Sequence, residues 1–380
     1  MVSARLGLHR HFRTLQDPRR VNSCQHLLLD VIAIAICGVI ANADDWQGVE
    51  TFGHDRQEWL KTFLELPNGI PSHDTFERVF DALDPRAFQE CLLSWLRAVS
   101  AALAIRHVAI DGKVARGSGR GSGPLGPLHL VNAWATEQSL HLGQVAVDAD
   151  SNEITAVPKL LELLALEGAL VTLDAMHCQK ETARKIRERG GDYVLTVKDN
   201  QPKLRAEIEA CFVQAFEKDM KGVAGDCYAT EETGHGRHEK RTYTVLYEPT
   251  GVDAAGEWAD LRVIGQCYRE RTVGGKTGEE MHYFIGSRRM TARRYGEVLR
   301  GHWRIENSLH WQLDVTFGED ANREQGRTAA QNLAGLRRLA LSLLKRHPSK
   351  KSVAQKRLSA AYNTAFLEEI LAPRDKVHKG

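Results

Sequence analysis

At 380 residues the chain is long enough for two or three domains, by the rough prior of ~100 to 200 residues each, and for a substantial core. Its 51 basic and 49 acidic residues leave a net charge of +2, which excludes a polyelectrolyte and puts the weight on local clusters. Seven scattered cysteines without a CxxC pair argue against a disulfide framework or a zinc ribbon and point to a reducing cytoplasm. The longest apolar run, Val31 to Ile40, is about half of the ~20 residues that span a bilayer, and no signal peptide is evident, so a soluble protein without a membrane partner is expected.

The opening segment sets Arg5, Arg10, Arg13, Arg19 and Arg20 against Asp17, with His9, His11 and His26 among them, a pattern that suits either phosphate contact or a solvated arm. Residues 27–42, LLLDVIAIAICGVIAN, are apolar nearly all round and read as a buried helix. After Pro71, Ser72 or Asp74 can cap a helix carrying Phe76, Val79, Phe80 and Leu83, ending before Pro85. A helix from Phe88 to Leu103 completes an all-α module over residues 1–104, which fits a DNA-binding helix-turn-helix or a plain helical domain.

Beyond it the period changes. Strands are expected at His107 to Gly112, Leu128 to Thr136 and His141 to Asp148, then a helix (Ala156 to Glu167), a strand (Ala169 to Asp174), a helix (Lys180 to Gly190) and a strand (Asp192 to Lys198). The second half alternates as crossover connections do, so the sheet is mixed, with helices on its faces. The loop GSGRGSGPLG places Gly121, Gly123 and Gly126 in a formal GxGxxG, but Pro124 interrupts it and a strand follows, so it is no dinucleotide site.

Asp111 and Asp174 each close an apolar run. On neighbouring strands their carboxylates would emerge side by side at a sheet edge, where open α/β sheets bind ligands. Two carboxylates about 4 Å apart repel by about 4 kcal/mol at an effective dielectric near 20, so the pair must take a cation or raise one pKa, and oxygen ligation points to magnesium or manganese. A third acid comes from LRGHWRIENSLHWQLDVTFGED: at about 100° per residue, Glu306 is centred on a face with His302, Trp303, Leu309, His310 and Leu313. The array HxxxExxxH around it is not the HExxH of metalloproteases.

The segments AIDGKVARGS, SNEITAVPKLLELL, TLDAMHCQK, YVLTVKDNQP and HWRIENSLHWQLDVTFGEDANR, with PSHDTFERVF in the helical part, resemble the DDE insertion-sequence transposases, specifically the H-repeat-associated branch. The resemblance implies an α/β, ribonuclease-H-like mixed five-stranded sheet with flanking helices and an inserted, mainly β subdomain. The catalytic domain would cover residues 105–345 with the insertion at about 205–290, followed by a basic helical tail at 346–380. Tyr228 to Tyr247 and Leu261 to Ile285 alternate as strands, in agreement. It also implies that Asp111, Asp174 and Glu306 hold two divalent ions, Mg2+ or Mn2+. In the broader cut-and-paste group the acid follows a Tyr by seven residues and an Arg by four and precedes a Lys by seven; here Leu299, His302 and Leu313 stand there, so those roles do not transfer.

The expected activity is that of a transposase: metal-dependent cleavage of element ends and joining of the 3′ hydroxyl to target DNA, by a homodimer in a synaptic complex on terminal inverted repeats, in the cytoplasm and on the nucleoid. A domesticated nuclease without strand transfer, or a non-catalytic DNA-binding protein, is the alternative. Lys113, Lys180, Lys198, Arg300, Arg304 and His310 are the candidate DNA contacts. Two basic runs, Arg288 to Arg304 and Arg337 to Arg357, suggest a phosphate track. His177 reads as a packed or solvated side chain.

Overall fold

A computed structural model describes residues 7–20, 24–100, 105–119, 126–148, 151–234, 236–324 and 326–372. Arg5, the end of the helix expected to run to Leu103, and Gly121, Gly123 and Pro124 of the glycine-rich loop lie outside the described residues.

Among the described residues six helices come first: α1 (Leu8–Phe12), α2 (Leu28–Ile40), α3 (Trp46–Asp55), α4 (Gln57–Leu60), α5 (His73–Ala82) and α6 (Pro85–Val99). α2 is apolar all round because it is buried all round, from Asp30 to Ile40. Asp84 caps α6 by accepting from Ala87 N, with Pro85 in the first turn, where its missing N–H is not needed. Ser72 stands at the start of α5 without capping it; the Glu50 carboxylate accepts from His73 N instead.

The sheet follows in the expected order: β1 (His107–Ala115), β2 (Leu128–Ala135), β3 (Leu140–Ala146), α7 (Glu153–Leu163), β4 (Leu170–Leu173), α8 (Lys180–Glu188), β5 (Asp192–Val197) and α9 (Pro202–Glu217). β1 pairs antiparallel with β2 and parallel with β4, and β4 pairs parallel with β5. This is the mixed five-stranded ribonuclease-H-like core. The inserted strands β6 (Gly225–Gly234), β7 (Arg237–Tyr247), β8 (Val263–Val273) and β9 (Lys276–Gly286) are antiparallel hairpins. They do not stand apart: β9 pairs with β5, so one nine-stranded sheet runs β3-β2-β1-β4-β5-β9-β8-β7-β6.

α10 (Ala292–His302) leads into two π-helical turns, Glu306–His310 and Gln312–Thr316, and the chain ends with α11 (Arg327–Arg346), α12 (Val353–Tyr362) and α13 (Thr364–Leu371). Alternation along β1 sends its side chains into two cores. Val108 and Ile110 pack with Val157, Leu160, Ile186 and Ile208 of α7 to α9. Ala109 faces a core made by α2, α5, α6, α11, α12 and α13 together with Ile305, Leu309, Leu313 and Phe317. The N-terminal helices therefore share one core with the acid-bearing segment and with the chain's C-terminal helices.

That core corrects the second basic run. Arg337, Arg338, Lys356 and Arg357 are buried, not arrayed along a surface. Arg338 donates to Glu319 and to Asn132 of β2, Arg337 to Asp44 O, and Lys356 to Leu344 O and His347 O. A guanidinium spans several polar groups at once, which lets these arginines satisfy helix ends inside the core.

Candidate active site

Asp111 sits inside β1, which continues to Ala115, so it does not end its strand as expected. Asp174 directly follows the last residue of β4 and opens a short turn, Ala175–His177. Because Ile110 stands opposite Leu173 in the parallel register, the two aspartates leave adjacent strands side by side. Gly112 is needed here: a Cβ would lie 2.3 Å from a Glu153 carboxylate oxygen. Glu153, at the start of α7, takes hydrogen bonds from His129 (2.7 Å) and His177 (2.9 Å). Burial alone would raise its pKa, but the two imidazoles prevail and hold it at about 2.

Glu306 reaches the pair from the π turns, where the Trp311 N–H bonds to Glu306 O and the Phe317 N–H to Gln312 O. A wider turn advances each side chain by less than the 100° of an α-helix, so residues four apart stay in line. Three stripes result. Ile305, Leu309, Leu313 and Phe317 are buried in the core. His302, Glu306, His310 and Asp314 face the sheet's charged groups. Trp303, Asn307, Trp311 and Val315 are exposed. The α-helical wheel is thereby corrected: Trp303 leaves the Glu306 face, and Glu306 is itself about half exposed rather than set among apolar groups.

Ligand atoms of Asp111, Glu306 and His310 all lie within 4.8 Å of one another. His310 Nδ1 is 3.4 Å from Glu306 and 3.6 Å from Asp111, and His302 Nε2 is 3.2 Å from Asp174. Burial pushes Asp111 up to about 6 against the opposing pull of His310. The bond from His302 holds Asp174 below its ordinary value, and the bond from His310 does the same for Glu306. A carboxylate-rich set with one imidazole at its edge, one acid short of an opposite charge, fits a hard divalent cation.

The other three acids of this stretch are already matched. Lys113 Nζ lies 2.5 Å from Asp314, 3.5 Å from Asp320 and 3.8 Å from Glu319, and Glu319 also holds Arg338. Lys113 is therefore a buried ion-pair partner that cannot meet phosphate, which corrects its place among the DNA contacts. His310 lies buried between two acids and is corrected likewise. Arg300 is held by two bonds to Glu232 of β6, and Lys180 pairs with Glu257. Lys198 lines the cavity that contains Asp111 and Asp174, and Arg304 is exposed. Unexpected from sequence is a cavity of about 490 Å³ beside Asp174, lined by Lys198, Arg237, Arg241, Arg269, Arg271 and Arg300 together with Glu239, which pairs with Arg241, and Glu280, which pairs with Arg269. The alternation of Arg237 with Arg241, and of Arg269 with Arg271, on one face of adjacent strands was its legible sign.

The family described as "Transposase DDE domain" matches residues 103–343, and the one described as "DDE_Tnp_1-associated" matches residues 9–96. The chain is 39% identical over 368 residues to "Putative transposase YncI" of Escherichia coli O157:H7, covering 95% of this chain and 93% of that protein. It is 35% identical over 371 residues to "H repeat-associated putative transposase YhhI" of Escherichia coli K12, covering 96% of this chain and 97% of that protein. With one acid within β1, one directly after the adjacent parallel strand β4 and a third on a helical segment beyond the inserted strands, the chain belongs to the DDE transposases, in their H-repeat-associated branch.

Proposed function

We propose that this chain cuts the ends of its own insertion sequence and joins the freed 3′ hydroxyl to target DNA, with Asp111, Asp174 and Glu306 as the catalytic acids. The observation that carries the reading is the meeting of Glu306 with Asp111 across 195 residues of chain, beside Asp174, while Asp314, Glu319 and Asp320 are taken up by Lys113 and Arg338. The three acids would hold two divalent ions, magnesium or manganese, which supply a lowered pKa for the attacking hydroxyl and charge for the leaving oxygen. A water first attacks the phosphodiester at the element end and releases a 3′ hydroxyl; that hydroxyl then displaces a 3′ oxygen of the target strand, so each step exchanges one P–O bond for another. No covalent protein intermediate is required. His310 keeps the carboxylates of Asp111 and Glu306 close against their mutual repulsion. Lys198 and the arginines beside Asp174 would receive the phosphates on either side of the scissile bond.

The partner is double-stranded DNA bearing terminal inverted repeats, engaged by a homodimer in a synaptic complex on cytosolic, nucleoid DNA. No helix of the described residues is long and apolar enough to cross a membrane. The test is nicking and strand transfer on end-sequence DNA with magnesium or manganese, by wild type and Glu306→Gln, with circular dichroism as the folding control. The wild type should do both and the folded variant neither. Nicking without joining would favour a nuclease, and a variant as active as wild type would remove Glu306 from the site.

A further inference from the structure

A line of hydrogen bonds, buried at its centre, ends on Asp174. Thr136 Oγ1 lies 2.9 Å from His107 Nδ1, His107 Nε2 lies 2.9 Å from Thr172 Oγ1, Thr172 Oγ1 lies 3.0 Å from His302 Nδ1, and His302 Nε2 lies 3.2 Å from Asp174 Oδ1. The four links join the loop after β2, the first residue of β1, the centre of β4 and the last residue of α10. His107, Thr172 and His302 are buried. The close approach of α10 is built in: a Cβ at Gly301 would sit 2.9 Å from the His107 ring.

The direction of every bond follows from its end. The Asp174 carboxylate oxygen is an acceptor, so His302 donates from Nε2. With its proton on Nε2, His302 presents a bare Nδ1, which accepts a hydrogen bond from the Thr172 hydroxyl. The other acceptor within reach of that hydroxyl, Val108 O, is farther at 3.4 Å. Having spent its proton, Thr172 accepts from His107 Nε2, and His107 Nδ1 accepts from Thr136. Burial pushes the His107 pKa down to about 3, so it remains neutral, as this order requires. No link has two donors or two acceptors facing each other.

We propose that Thr136, His107 and Thr172 form a tautomer-setting relay that makes His302 a positioning residue for Asp174, fixing one carboxylate oxygen so that the other is left for the divalent ion. The inference rests on the proposed metal site. His302 and Thr172 do not touch the reacting atoms; they act through Asp174, as outer hydrogen bonds orient metal ligands elsewhere. An imidazole ordinarily divides between two tautomers, and the one protonated on Nδ1 would turn a lone pair toward the carboxylate.

The experiment is nitrogen NMR of histidine-labelled, metal-free, full-length protein, with manganese calorimetry on wild type, Thr172→Val and Thr172→Ser. Wild-type His302 should be protonated on Nε2 alone. Thr172→Val, which keeps the side chain's shape, should show both tautomers and bind manganese at least about tenfold more weakly. Thr172→Ser, which restores the hydroxyl, should recover both readouts. Wild-type His302 protonated on Nδ1 would overturn the relay without recourse to any variant. So would a folded Thr172→Val with wild-type tautomer and affinity. Because the tautomer is read without metal, the relay stands or falls on it even if the wild-type chain bound no manganese, an outcome that would overturn only the metal-site reading.

Discussion

Glu306 and Asp314 lie on one stripe two turns apart, yet they meet opposite surroundings: a shared acid cluster with His310 for the first, the Lys113 ammonium for the second. The two should therefore fail differently. Lys113→Met leaves the partly buried Asp314 and Asp320 without their cation and the buried Glu319 with Arg338 alone, and should lower stability by about 3 kcal/mol, measured by urea unfolding, while leaving the salt dependence of DNA binding unchanged. A lysine that met phosphate would do the reverse. Asp314→Asn should lose stability and keep nicking, whereas Glu306→Gln should keep stability and lose nicking. Asp111 and Asp174 drew attention as acids closing apolar runs and Glu306 as an acid on a patterned helix, although β1 continues past Asp111 to Ala115. The status of Lys113 was not, because its three partners lie some 200 residues further along the chain, and a formal charge carries no information about burial.

At the level of elements, the chain order of strands and helices and the mixed sheet could be read from alternation and crossover logic, whereas the adjacency of Asp111 and Asp174 was a condition that the parallel pairing of β1 with β4 meets. The acid-bearing segment could not be read with the same tools. A fixed 100° step mixed three faces that the structure keeps separate, placing Trp303 in the core when it is largely exposed. Its signature was present as apolar residues at exact four-residue spacing, Ile305, Leu309, Leu313 and Phe317, which an α-helix would smear over about 120°. Leu309→Ala should cost about 2–5 kcal/mol by opening a cavity under Glu306 and should also reduce nicking in the fraction that stays folded. Reduced stability with unchanged specific activity would mean that the stripe supports the fold but not the acid's position. The arginines of α11 and α12 misled for a related reason: a run without acids looks solvated, yet Glu319 and Asp44 supply the missing charges from elsewhere.

For the whole molecule, acid sensitivity should begin above the carboxylate range. Burial depresses the pKa of His107 to about 3 and of His141 well below its ordinary 6.5. The unfolded chain then binds protons that the folded chain refuses, so this stability is complete above about pH 6.5 and is lost as pH falls from there toward 3. At pH 5 the share from His107 is roughly 2 kcal/mol. The Glu153 contribution behaves as depressed carboxylates do: present above about 4.5 and lost as pH falls toward 2. Urea midpoints should thus decline in two windows, and His107→Gln should flatten the upper one. DNA affinity should fall with salt, and replacing Arg241 and Arg269 together with glutamine should lower the slope of log K against log salt by about 2. An unchanged slope would take the cavity out of the phosphate path.

Arg357, fully buried on α12, donates to Thr316 O at the end of the π turns, to Val39 O in the last turn of α2, to Ala43 O just after it, and to Asp44. One side chain near the end of the chain thus fastens its beginning to the segment that carries Glu306. A chain without α12 would possess both aspartates and the glutamate but would lack this tie between Thr316, next to the acid-bearing segment, and the end of α2.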